Sequence, residues 1–417
     1  MVRHCGNKWS FPRIINAVRV LPKWVSSRLR LATATASFFL QFALGNFEGI
    51  SQAPAMSKWG AAFLASRKMV EPKLHELPTA SHIYKQANRA KQITGSWPIS
   101  FSFPKPALPA PQQVAGYLCP TFPGHKYSFE SDKSYYENYR KFSYALTHKK
   151  GGWDCFRHLE VMHVGAVPFM PDADIIPSHT MVHYPKAFLA EVAASMRRSR
   201  LYISPSVREN LADYFDQNLT SAAMAKYLLR AAGIQNSARV LFIDAATPTR
   251  PDYLSILTLI GLKQVLGKQV DVAFPVNYIY EDWTGNARDL CGRGFGFSRT
   301  LKSGIKNQNE FDGRELSLHQ SSLTRFDAIV IGSEPRNTVL AHDLLSAFPP
   351  KQTVWLHGED RGPSIDQLDS YQKTGVAMFV RELNVRKNIP SDQCVPPDSS
   401  ALSLDQEGSR TRALGPD

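Results

Sequence analysis

The sequence predicts an α/β protein built on parallel sheets, in two domains flanked by irregular N- and C-terminal tails. Three observations lead there. The chain has 417 residues, 43% of them hydrophobic and 20% charged, which is ordinary for a globular protein and enough to bury two cores. From Ala238 onward, short apolar runs alternate with helical patterns, as in a parallel sheet covered by helices on both faces. The two ends change in composition: seven Lys and Arg and no acid precede Glu48, and from about Asn384 the chain is rich in Pro, Ser and charge.

The first segment, 1–82, reads as a targeting leader or a poorly ordered segment. Arg3, Lys8, Arg13, Arg19, Lys23, Arg28 and Arg30 precede the apolar run from Leu31 to Leu44. That run is short of the roughly 20 residues a spanning helix needs. An acid-free, Arg-rich leader fits an organelle transit peptide, and a signal peptide or short Golgi-type anchor fits as well. An endomembrane or organelle location, with membrane association through this segment, is therefore expected.

The second segment, 83–235, carries an alternating strand at Ile99–Phe103 and a Pro-rich linker at 103–111. A polar-aromatic helix at Tyr135–Tyr144 and a strand at Ser143–Thr147 follow. Gly151 and Gly152 break the chain, and Asp154 is placed to cap a helix reaching Val164. A strand at Gly165–Phe169 and helices at 186–198 and 206–232 complete this domain. The third segment, 236–385, holds strands at Arg239–Asp244, Val270–Phe274, Phe326–Gly332, Thr353–Gly358 and Val376–Val380. A helix runs from Asp252-Tyr253-Leu254 to Leu266, where Gly267 ends it. In such sheets, ligand groups sit at the carboxyl ends of strands. Those ends carry Asp244, Ser333, Glu359-Asp360 and Arg381-Glu382. Residues 386–417 form the tail.

Charge and cysteines exclude several functions. Net charge is +13, and removing the seven leader cations leaves +6 for the rest, too little to call for a nucleic-acid partner. The five cysteines (Cys5, Cys119, Cys155, Cys291, Cys394) form no CxxC pair and show no zinc spacing. Asp172-Ala173-Asp174 has the spacing of a metal-binding DxD, but the triplet is common, and a loop or cap is the expected role. Gly292-Arg293-Gly294-Phe295-Gly296 follows no clear strand and reads as a loop. Asn218-Leu219-Thr220 is a glycosylation sequon. No metal and no bound cofactor are expected.

The segment 149–171 carries the most chemistry. Arg157 and Glu160 are i,i+3 neighbours on one helix face. They would suit a nucleotide sugar, whose ribose diol needs a carboxylate and whose diphosphate needs cations and helix-start amides. Glu160 can supply the first, and Lys149, Lys150 and Arg157 the second. An Asp154 cap would occupy the helix-start amides, which ranks Arg157 and Glu160 above the Gly-Gly turn. The plain alternative is an ordinary helix pair worth about 0.3–0.5 kcal/mol. An imidazolium at His158 would meet a phosphate or a developing charge. Asp360, at a strand end, could act as a base on an acceptor hydroxyl or cap the next helix.

Trp153-Asp154-Cys155-Phe156-Arg157-His158-Leu159-Glu160, followed by Gly165-Ala166-Val167-Pro168 and by Pro177 and Thr180-Met181, resembles the donor-domain signature of exostosin-like glycosyltransferases. It is similar above all to a group of glycosyltransferase-like proteins of microbes, algae and large viruses with a Gly-Trp-Asp-Cys-x-Arg-His-Tyr-Glu run. Leu159 replaces the usual Tyr, and Ile176 the common Cys. Pieces from about 95 to 385 fit, among them Tyr135-Tyr136, Pro251-Asp252-Tyr253-Leu254 and Phe379-Val380-Arg381-Glu382-Leu383. The resemblance implies a GT-B-like pair of Rossmann-like domains and transfer from a nucleotide-sugar donor to a glycan, lipid or protein acceptor, without a bound metal. The two domains stand in reversed order relative to that family. This keeps open a non-catalytic relative that binds carbohydrate or a protein partner.

Overall fold

The computed structural model describes residues 69–70, 77–109, 114, 116–119, 129–198, 200–307 and 320–384. The leader run at 31–44, the end of the Pro-rich linker and the tail from 386 lie outside these residues. The fold is α/β with parallel sheets. Strand β1 (Met69–Val70) pairs with β6 (Arg200–Leu201). The sequence reading had placed Met69 and Val70 in the leader.

Helix α1 (Ala80–Thr94) is started by the Thr79 side chain and ended by Gly95 in the left-handed region. It leads into β2 (Trp97–Pro98). Then come β3 (Gly116–Cys119), α2 (Asp132–Arg140), β4 (Phe142–Leu146), α3 (Phe156–His163) and β5 (Val167–Phe169). The next helices are α4 (Lys186–Arg198), α5 (Pro205–Asn218) and α6 (Ser221–Ala231). The strands β3, β4 and β5 form a parallel three-stranded sheet in that order. The helix expected over 206–232 is two helices, because the Thr220 hydroxyl accepts from Ala223 N and caps a new start. Asn218 of the sequon is buried, and its side-chain amide donates to Tyr214 O at 3.0 Å, so the amide is engaged inside the fold.

The remaining elements are β7 (Val240–Ile243), α7 (Tyr253–Leu266), β8 (Val270–Val272), α8 (Gln320–Leu323) and β9 (Ala328–Ile331). They are followed by α9 (Thr338–Leu344), β10 (Thr353–His357), α10 (Ile365–Thr374) and β11 (Ala377–Val380). The second sheet has six parallel strands in the order β2-β11-β10-β9-β7-β8. Read from the β8 edge, the first five strands follow the 2-1-3-4-5 order of doubly wound sheets, with the switch point between β7 and β9.

Contacts cross the expected division at 235. Trp97 and Pro98 pair with Phe379 and Val380, so β2 belongs to the sheet of the later segment. The expected strand at Ile99–Phe103 does not form. Its five residues are all buried, and their amides go to separate partners: Ile99 N to Val380 O, Phe101 N to the Asp154 carboxylate and Phe103 N to Leu219 O. A continuous hydrophobic core also joins the two halves, from Tyr144 and Leu159 through Leu228 and Ile260 to Phe379.

Helices α6 and α7 cross where Gly261 meets α6. A Cβ on Gly261 would strike the Ser221 backbone carbonyl. Gly261→Ala is expected to destabilise the fold by about 2 kcal/mol through overpacking, measured by urea unfolding. Among the described residues, no helix is long and apolar enough to cross a membrane.

Candidate functional site

Strand β4 delivers the chain to the turn at Lys149–Gly152, and α3 follows. All eight residues of α3 are buried, including Arg157, His158, Glu160 and His163. Such polar groups need internal partners.

Asp154 does not cap α3. Its Oδ2 accepts from Phe101 N at 2.6 Å and its Oδ1 from the Tyr184 hydroxyl at 3.0 Å. Its peptide is held by the end of β11: Asp154 N donates to Glu382 Oε1 at 2.8 Å, and Asp154 O accepts from Arg381 Nη1. Those bonds turn the carboxylate away from the helix. Cys155 holds the N-cap position and makes no side-chain capping bond. Burial raises the thiol above its ordinary value, against the pull of the Arg157 N–H. The helix start is thus free of any carboxylate, and the Gly-Gly turn regains the weight that an Asp154 cap would have removed.

The two glycines have a steric cause. A Cβ on Gly151 would enter the Asp360 carboxylate, and one on Gly152 would stand 2.8 Å from Arg381 Nη1 and against Glu382. The turn packs directly onto the ends of β10 and β11.

A cleft of about 220 Å³ opens at this junction. Of the six residues expected from the sequence, Lys150, Arg157, Glu160 and Asp360 line it. Phe101, Phe156 and Tyr253 add aromatic walls, with the Phe156 and Tyr253 rings stacked at 4.8 Å. Lys149 and His158 are not among the lining residues. The Lys149 ammonium lies 5.1 Å from the Trp153 ring centroid. His158 Nε2 donates to Trp153 O at 3.0 Å, and burial pushes the ring down to about 4. It is neutral at neutral pH, so the imidazolium expected there does not form.

Arg157 and Glu160 are linked through Tyr135 of α2. The Tyr135 hydroxyl donates to Glu160 Oε2 at 3.0 Å and accepts from Arg157 Nε at 3.4 Å. This is a buried network, not the exposed helix pair of the plain alternative. Burial raises the Glu160 carboxyl to about 7, against Arg157 and Tyr135, which pull it down. Burial works against the Arg157 charge, but Tyr135, Tyr139 and Glu160 outweigh it, so the guanidinium stays charged. Arg157 Nη1 is buried without a hydrogen-bond partner among the described residues.

Asp244 stands elsewhere. Its carboxylate accepts from the Thr247 and Ser255 hydroxyls at 2.5 and 2.6 Å and from the Asn337 side-chain amide at 3.1 Å. This closed network knits the switch point between β7 and β9. Asp172 stands at the N-cap of a single 3-10 turn at Ala173–Ile175, and Asp174 lies within it. Among the described residues, no group of three or more His, Cys, Asp or Glu is placed to hold a metal ion.

Sequence reasoning missed Phe101, Cys155, Tyr253 and the linking role of Tyr135. Tyr253 was accessible, since it opens the helix after the first strand of a parallel sheet, where ligands are met. Tyr135 and Tyr139, four apart on a polar helix, marked an inward stripe. Comparison of the chain with protein-family models, curated proteins and solved structures finds no match.

Proposed function

We propose that the cleft binds the diphosphate of a nucleotide-sugar donor and that the protein is a glycosyltransferase. One observation carries the reading: Arg157, a buried guanidinium whose Nη1 has no hydrogen-bond partner among the described residues, lines the same cleft as the start of α3, whose N-cap residue makes no side-chain capping bond. Desolvated donors of this kind are a ready anion site. Lys150 adds a second cation. Glu160 offers a carboxylate to the ribose diol. Lys150, Arg157 and the α3 amides stabilise the leaving diphosphate electrostatically, with no step assigned to a metal. Asp360, mostly exposed at the cleft wall, takes the proton of the acceptor hydroxyl. The acceptor is a glycan, lipid or protein.

Titration calorimetry with a panel of nucleotide sugars, paired with a turnover assay, tests this. Arg157→Ala is expected to weaken donor binding about 30-fold, the equivalent of about 2 kcal/mol for a charge-assisted contact. Unchanged binding in Glu160→Ala would remove the ribose role from Glu160. The aromatic walls also suit a sugar ring, which favours a second reading as a non-catalytic carbohydrate- or protein-binding relative. Binding of glycans without binding or turnover of any nucleotide sugar would select it.

A further inference from the structure

We propose that Arg381 is a positioning residue, which fixes the Asp360 carboxylate against the donor side of the cleft. The inference rests on the reading above, in which Asp360 takes the acceptor proton. Arg381 stands at the end of β11 with its side chain 1% exposed, while the Asp360 side chain is 64% exposed. The arginine is therefore held by the protein, and the aspartate is held by the arginine.

The guanidinium's three nitrogens tie the loop that leaves β10 to the turn ahead of α3 and to the neighbouring Glu382. Nε donates to Gly358 O at 2.9 Å and fixes the loop that leaves β10. Nη1 donates to Asp154 O, ahead of α3, and to Glu382 Oε1 at 3.2 Å. Nη2 donates to Asp360 Oδ1 at 2.5 Å. The Phe101 ring lies 4.4 Å from the guanidinium carbon. Glu382, itself buried, supplies the counter-charge that lets this cation sit inside the fold.

One rigid plane thus sets both the height of the Asp154–Cys155 backbone and the direction of the Asp360 carboxylate. With Oδ1 occupied by Arg381, Oδ2 is turned over Gly151, on the cleft wall. Glycine at 151 leaves the space for it. A lysine at 381 carries a charge but no fork, so it can keep the buried contact with Asp154 O and Glu382 but cannot also hold Asp360.

The experiment compares the wild-type chain with Arg381→Lys, Asp360→Asn, Asp360→Glu and the double variant Arg381→Lys/Asp360→Asn. Melting temperature, nucleotide-sugar binding and turnover are measured for each. Arg381→Lys is expected to bind the nucleotide sugar nearly as the wild type does. Its kcat falls about 100-fold with donor KM unchanged, the scale of a misplaced reacting group. Asp360→Glu, which keeps the charge and moves it, falls comparably. The double variant loses no more than Asp360→Asn alone, because the two residues act as one unit.

Additive losses, or wild-type turnover in Arg381→Lys, overturn the inference. If Arg381→Lys does not fold, Asp360→Glu decides on the exposed side of the pair, and full activity there overturns the inference. A wild-type chain that neither binds nor turns over any nucleotide sugar overturns the reading beneath it, and does so before any variant is made.

Discussion

Asp154→Ala is expected to cost the fold about 3 kcal/mol, by stranding two buried donors at about 1–3 kcal/mol each. The Phe101 N–H and the Tyr184 hydroxyl both end on this carboxylate, which is 2% exposed. The pattern of replacements is diagnostic. A lost helix cap would cost about 1 kcal/mol, and Ser or Asn would restore most of it. Here Ser cannot span both donors, so Asp154→Ser should lose nearly as much as Asp154→Ala. Asp154→Asn keeps one acceptor oxygen and should fall between. Urea unfolding of the three variants measures this, and recovery by Ser would return Asp154 to the cap role.

Glu160→Gln is expected to gain stability relative to wild type as pH rises through about 7. The folded carboxyl is raised to about 7 from an ordinary 4.5. Its contribution is therefore fully present below the ordinary value and is lost as pH rises to the folded one. Gln never ionises, so the difference between the two proteins opens across that window, to about 3 kcal/mol at most. Wild type alone would give a muddier curve. Asp154 is also raised to about 7 by burial, and loses its contribution over the same range. Burial lowers His158 and His163 to about 4 and His183 to about 3, and their contributions are lost on the acid side instead. Unfolding at pH 5 and pH 8 for the pair isolates Glu160, and a constant difference would remove it from the titration.

Much of the fold was legible because buried parallel strands are short, apolar and punctuated. Val240–Ile243, Ala328–Ile331, Thr353–His357 and Ala377–Val380 all fall within the runs read from the sequence. Asp252 and Gly267 marked the ends of α7, and the Asp252 side chain does accept from Ser255 N. What failed was any inference that needed a distant partner. Ile99–Phe103 alternates like a half-exposed strand, yet both of its faces are covered. Asp154 has the chemistry of a cap, but its peptide is claimed by residues 228 positions away. Arg157, Glu160, Lys150 and Asp360 were legible as a charged set and do share one cleft. His158 and Lys149 look the same in sequence, and only the path of the backbone turns them from it.

The pairing of Trp97 with Phe379 dictates the order in which the protein can be made. A ribosome releases the 149–160 run long before it releases Arg381 and Glu382. Until those two emerge, the Asp154 peptide has no partners and β2 has no neighbour. The first half must wait with apolar surface uncovered, a state that invites chaperones and slows folding, because distant contacts require closing a long loop. A nascent chain stalled before residue 381 should therefore remain protease-sensitive around the cleft residues, and protection there should arrive late and all at once.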